Sequence, residues 1–124
     1  MHRNVALLLV WSWAALFAEP LQAGRHCGAE GHWLSPFVPE RWGSARFTDA
    51  CKAHDDCYGT CGYPRRACDR EFHQALRAEC KDAYDHWTKR AHRESCLRVV
   101  AGYYSAVYRN GGDAYRSAQQ DACP

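Results

Sequence analysis

The segment Cys51-Lys52-Ala53-His54-Asp55-Asp56-Cys57-Tyr58, with Cys68-Asp69 further on, holds the residues of this chain best suited to do chemistry. A neutral imidazole takes a proton from water only if its other ring nitrogen is held by an acceptor that fixes the tautomer. Asp69 is the candidate acceptor for His54. Tyr58, one helical turn along from His54, is positioned to donate its hydroxyl to Asp69. Asp55 points about 100° round the helix from His54, toward the loop that enters it. A carboxylate beside a Gly-bearing loop whose carbonyls turn inward suits a hard cation with oxygen ligands, calcium before zinc. Such a cation would polarise a substrate carbonyl and stabilise the oxyanion, while His54 activates water.

Each residue also has a plainer role. A lone histidine on a helix is more often structural than catalytic, an adjacent Asp-Asp is usually a solvated face, and Cys57 and Cys61 read as staples rather than reactive thiols. Their joint occurrence is what points to a site.

The elements that must position these groups can be read from periodicity. Thr48 can cap a helix running to about Cys61 and stopping at Gly62, with His54, Cys57, Tyr58 and Cys61 on one face. Pro64 suits the first turn of a second helix, which carries Asp69, Phe72, Leu76 and Cys80 on one face and fades near Ala83 and Tyr84. The short Gly62-Tyr63 turn makes the two antiparallel, so residues equidistant from it face each other. His54 and Asp69 meet that condition, and Cys57 and Cys68 could clamp the same helices closer to the turn. A third helix, roughly Lys89 to Arg109, places Cys96, Val100, Tyr103 or Tyr104, and Val107 along a stripe and ends at Asn110-Gly111-Gly112. An amphipathic tail from Asp113 to Gln120 leads to Cys123. The stretch from Gly24 to Arg46 reads as a long loop, and no strand pattern is visible. The expected fold class is all-α: a small, mainly helical, disulfide-rich domain with an amino-terminal loop pinned by Cys27.

Composition sets the compartment. Residues 1–23 have the layout of a signal peptide, with His2 and Arg3 before an apolar run and small Ala23 at the cleavage point; an uncleaved anchor is the competing reading. About 100 residues remain, enough for one domain, 24–124, and one modest core. All eight cysteines follow the expected cleavage point, which implies four disulfides in an exported chain, extracellular or periplasmic, rather than zinc thiolates. A net charge of +2 is too small to mark a phosphate-binding surface, so no nucleic-acid partner is expected. The seven histidines show no metal-ligand spacing.

The segment Cys51 to Tyr58 resembles the active-site helix of secreted phospholipases A2, whose pattern is Cys-x-x-His-Asp-x-Cys-Tyr. Cys57-Tyr58-Gly59-Thr60-Cys61-Gly62, then Cys68-Asp69-Arg70-Glu71-Phe72, is similar to the compact branch of that superfamily, which lacks the β-wing between the two long helices. Phe37-Val38-Pro39, Gly43 and Phe47 resemble that branch too. The resemblance implies that His54 is the general base, Asp69 its carboxylate partner, Tyr58 the supporting tyrosine and Asp55 the bidentate calcium ligand. It implies a calcium loop starting at Cys27-Gly28, with the carbonyls of His26, Gly28 and Glu30 on the metal and the Gly28 N–H available to the oxyanion. It implies disulfides Cys27–Cys51 and Cys57–Cys68, with Cys61–Cys68 as a competitor; the pairing of Cys80, Cys96 and Cys123 stays open. The loop departs from the family's Cys-Gly-x-Gly-Gly, because Glu30 replaces a glycine, so either Glu30 or Glu40 supplies a side-chain oxygen or calcium is weakened.

The implied activity is calcium-dependent hydrolysis of the sn-2 ester of glycerophospholipids at a membrane surface by a monomer. Trp33, Leu34, Phe37, Val38 and Trp42 would form an apolar rim, with core packing as their alternative role. The rival function is a non-catalytic binder of a lipid or protein receptor on the same scaffold. Headgroup and acyl-chain preference are not written in local patterning.

Overall fold

The computed structural model describes Cys27 and residues 39–124. The expected leader at 1–23, the loop residues His26, Gly28 and Glu30, and Trp33, Leu34, Phe37 and Val38 lie outside the described residues. Two short strands, β1 (Arg41–Trp42) and β2 (Ala45–Arg46), precede four helices: α1 (Thr48–Tyr58), α2 (Arg65–Ala83), α3 (Arg90–Asn110) and α4 (Gly112–Ala122). A 3-10 turn, Trp87–Lys89, leads into α3. Among the described residues no helix is long and apolar enough to cross a membrane.

The strand pair corrects the expectation of a loop without strands up to Arg46. Arg41 pairs with Arg46 and Trp42 with Ala45, antiparallel, around Gly43 at φ 57°. That conformation favours glycine, and a Cβ there would also collide with the Tyr84 hydroxyl. Trp42 takes the packing role: it is half-buried against the core, edge-on to Tyr84 at 6.2 Å.

α1 begins one residue earlier than a Thr48 cap would place it, since Phe47 is the cap residue and Thr48 is already helical. The Thr48 hydroxyl donates instead to Glu40 Oε2 at 2.7 Å. Asp49 in the first turn complements the helix dipole. The helix ends at Tyr58, short of the expected Cys61, because α4 supplies partners for the chain leaving it. Gln119 Nε2 donates to the carbonyls of Tyr58 and Thr60 at 2.7 and 2.9 Å, and Gly62 N–H donates to Gln119 Oε1 at 2.8 Å. Gly62, at φ 80°, turns the chain into α2.

α2 is the central element, with α1 on one side and α3 on the other. Its contacts run in opposite senses on both sides. Toward α1, Cys68 meets Cys57 and Phe72 meets His54; toward α3, His73 stacks on Tyr104 and Cys80 bonds Cys96. Both pairs are therefore antiparallel. Phe47, Phe72, Leu76, Val100 and Val107 are fully buried, and each large apolar side chain contributes about 1.5–3 kcal/mol. The α3 stripe turns Tyr103 toward the core, edge-on to Phe47 at 5.9 Å, and leaves Tyr104 for His73.

Four disulfides join these parts: Cys27–Cys51, Cys57–Cys68, Cys61–Cys123 and Cys80–Cys96. The competing Cys61–Cys68 bridge is not formed. Cys61 lies past the end of α1, so it leaves the face that carries His54 and reaches the C-terminal segment instead.

Candidate active site

Two side chains that apolar burial alone would not place in a core are there: His54, 2 % exposed, and Asp69, fully buried. The α1–α2 hairpin brings them together, with His54 Nε2 2.9 Å from Asp69 Oδ1. A carboxylate can only accept, so Nε2 carries the proton and Nδ1 keeps a lone pair. Nδ1 is buried and has no hydrogen-bond partner among the described residues. The ring is locked between Phe72, stacked at 4.5 Å, and Tyr58, tilted at 4.2 Å. Beside it, between α1 and α2, lies a cavity of about 40 Å³ lined by Ala50, Ala53, Ala75, His54 and Phe72. Three alanines there leave room for water.

Tyr58 donates its hydroxyl to Asp69 Oδ1 at 2.6 Å. Burial, and then this bond, push the phenol well above its ordinary value of 10.0, so it stays protonated as a donor. Asp69 Oδ2 faces two guanidiniums, Arg65 Nε at 3.6 Å and Arg66 at 3.8 Å. Two donors on one oxygen and two cations near the other compensate a charge that burial would otherwise strand. Arg65 and Arg66 were absent from the residues singled out by sequence. Their signal was available in the i,i+4 and i,i+3 spacing to Asp69 within one helix.

Asp55 follows His54 on α1 and is half-buried. Cys51, one turn before it, is bonded to Cys27, with their Cα atoms 5.0 Å apart. The bridge fixes Cys27 to α1 one turn from Asp55, whose carboxylate is an oxygen donor of the kind a hard cation takes. Glu40, considered as a source of a side-chain oxygen, has both carboxylate oxygens engaged. Oε1 accepts from Cys27 N–H at 2.9 Å and Oε2 from Thr48, so Glu40 clamps the loop.

Gln119 and Tyr115 also escaped the sequence reading, as did the contact of Gly111, read only as a helix end, with Tyr58. Tyr115 lies edge-on to Tyr58 at 5.3 Å and donates to the Tyr63 carbonyl, and Gly111 packs against the Tyr58 hydroxyl. No local pattern links them to His54.

Comparison with known proteins agrees with this geometry. The family model described as group XII secretory phospholipase A2 precursor matches residues 35–124. Group XIIA secretory phospholipase A2 of Homo sapiens is 32% identical over 81 residues, covering 65% of this chain and 43% of that protein. Its Mus musculus counterpart is 31% identical over 81 residues, covering 65% and 42%. The chain thus spans less than half the length of these curated relatives. No solved structure matches. Three quarters of the chain falling within one family model, together with the buried His54–Asp69–Tyr58 cluster between two disulfide-clamped helices, places the chain in the group XII secretory phospholipase A2 family.

Proposed function

We propose that the chain is a secreted, calcium-dependent phospholipase A2 that hydrolyses the sn-2 acyl ester of glycerophospholipids, releasing a fatty acid and a lysophospholipid. The observation that carries this reading is the orientation of His54: Nε2 bound to Asp69 Oδ1, Nδ1 left with a free lone pair among the described residues. In the proposed reaction His54 Nδ1 takes a proton from water as the oxygen attacks the ester carbonyl, and later returns it to the departing glycerol oxygen. Asp69 stabilises the imidazolium formed between these steps, and Tyr58 holds Asp69 in place. The Asp55 carboxylate and the carbonyls of His26, Gly28 and Glu30 would hold calcium, with the Gly28 N–H turned to the oxyanion. Bound there, the cation supplies Lewis-acid polarisation of the ester carbonyl. The substrate is a phospholipid membrane surface, reached after removal of residues 1–23, by a monomer.

The test is fatty-acid release from mixed phospholipid vesicles with millimolar-range calcium. The His54→Ala variant is expected to be slower by about a hundredfold or more. Chelation of calcium should abolish release. If wild type and His54→Ala release equally little, the hydrolytic reading fails and the non-catalytic binder takes its place.

A further inference from the structure

We propose that Arg65 is a positioning residue for the dyad, which holds the Asp69 carboxylate in the orientation that presents Oδ1 to His54 and anchors it to the carboxy-terminal end of α3. The inference rests on reading His54 and Asp69 as the catalytic pair.

The argument starts from two orphans. Arg65 Nε and Asp69 Oδ2 are both buried, and neither has a hydrogen-bond partner among the described residues. They face each other at 3.6 Å, too long for a direct hydrogen bond and too short for a water between them. The charge of Oδ2 is thus met by the guanidinium itself. Arg65 is in turn held from the other side: its terminal nitrogen donates to the Tyr108 carbonyl at 2.8 Å and the Val107 carbonyl at 3.2 Å. These are carbonyls of the last turn of α3, at the negative end of the helix dipole, and the Val107 carbonyl also accepts the Gly111 N–H at 2.8 Å. One planar group therefore spans from a helix terminus to the buried carboxylate.

Arg66 makes only a weaker, exposed version of this bridge. Its Nη1 donates to the Tyr108 carbonyl at 3.2 Å and stands 3.8 Å from Oδ2, but the side chain is 46% exposed and its guanidinium lies 3.6 Å over the Tyr108 ring. Solvent screens its pull on Asp69, whereas the Arg65 side chain is only 20% exposed. Without Arg65, Asp69 Oδ2 would keep only that screened partner. The carboxylate could then rotate and exchange the oxygen that serves His54 and Tyr58.

The experiment compares Arg65→Met, Arg65→Lys and Arg66→Met in the purified full-length mature protein. Melting temperature reports the fold, kcat and KM on mixed phospholipid vesicles with calcium report the reaction, and the downfield proton NMR signal of the His54 Nε2–H reports the dyad. Arg65→Met is expected to lower kcat about tenfold or more while leaving KM nearly unchanged, and to shift the His54 proton upfield. Arg65→Lys keeps the charge without the planar fork and should recover part of both effects. Arg66→Met should lose several-fold less than Arg65→Met.

An unmoved His54 proton in folded Arg65→Met overturns the proposal. So does a loss of kcat that merely follows the loss of folded protein, equal in Arg65→Met and Arg65→Lys. If wild type releases no fatty acid, the hydrolytic reading has failed, and the NMR signal still decides whether Arg65 holds the pair.

Discussion

Replacing Gly111 with alanine sets two effects of opposite sign against each other. Gly111 joins α3 to α4 with φ −78° and ψ −4°, a conformation any residue adopts. At such a position Gly→Ala ordinarily stabilises by about 0.4–1 kcal/mol, because the unfolded chain loses freedom. Here the added Cβ would stand 2.6 Å from the Tyr58 hydroxyl, 2.7 Å from the Val107 carbonyl oxygen and 3.2 Å from Arg65. Two of those distances are closer than carbon and oxygen tolerate, and one partner is helix backbone that cannot swing aside. Overpacking of this kind costs about 1–3 kcal/mol. The steric term wins, leaving a net loss of about 1–2 kcal/mol, or about 5–10 °C in melting temperature for a domain of this size.

The groups displaced are those that hold Asp69, so stability and activity should fall together. A shift of the Tyr58 hydroxyl or Arg65 misaligns the His54–Asp69 pair, and kcat should drop about tenfold. Circular dichroism melts and vesicle hydrolysis measure the two effects. The double variant Gly111→Ala/Tyr58→Phe removes the shortest clash, so its combined cost should be smaller than the sum of the single costs. A Gly111→Ala protein at least as stable as wild type, or strict additivity in the double variant, would refute the contact argument.

Gly102 is the matched control: it sits inside α3, and a Cβ there meets nothing within 4 Å, so Gly102→Ala should raise stability by about 0.5–1 kcal/mol in a urea melt. Tyr58→Phe should change the alkaline limb of stability. A phenol pushed above 10.0 in the folded state contributes stability that is full below pH 10.0 and lost as pH rises past it, so wild type should weaken more steeply than Tyr58→Phe between about pH 9 and 11. Replacing Cys61 and Cys123 together by alanine opens a loop of 62 residues and should cost about 4 kcal/mol, against about 3 for the Cys57–Cys68 pair; limited proteolysis should then cut within 112–124 before any other described segment.

What could be read in advance follows the range of the interaction. His54 and Asp69 were legible because a tight turn between two helices fixes which residues meet, and Phe72, Leu76 and Cys80 follow from one helical period. The end of α1 was not legible, because Gln119, far away in sequence, supplies the partners that let the chain leave the helix at Tyr58. Nor was the Cys61–Cys123 bridge, since it depends on α4 folding back across the α1–α2 turn. The strand pair escaped because two residues per strand are too few to show alternation, and its register depends on the positive φ of Gly43. Arg65 differs from these. Its spacing to Asp69 was in plain view, but charges one turn apart are usually solvated pairs, and only burial shows that this one faces a fully buried carboxylate.

The disulfides explain how a small core can hold a buried ionic cluster. Each has at least one end on the α1–turn–α2 hairpin: Cys57–Cys68 closes it, Cys80–Cys96 docks α3, Cys61–Cys123 docks α4 and Cys27–Cys51 docks the loop. The hairpin is the hub to which every other described part is fastened. The partners of Asp69 then come from within that hub, Tyr58, His54, Arg65 and Arg66, with α3 reaching in through backbone carbonyls that the two arginines collect. Burying such a cluster is costly unless every charge is met, and here the compensation is local and cross-linked. No described group from the loop takes part in holding Asp69. Among the described residues, the half of the site that would move protons is therefore held by the hairpin and the end of α3, and His54 and Asp55, neighbours on α1, join it to the half that would hold a cation.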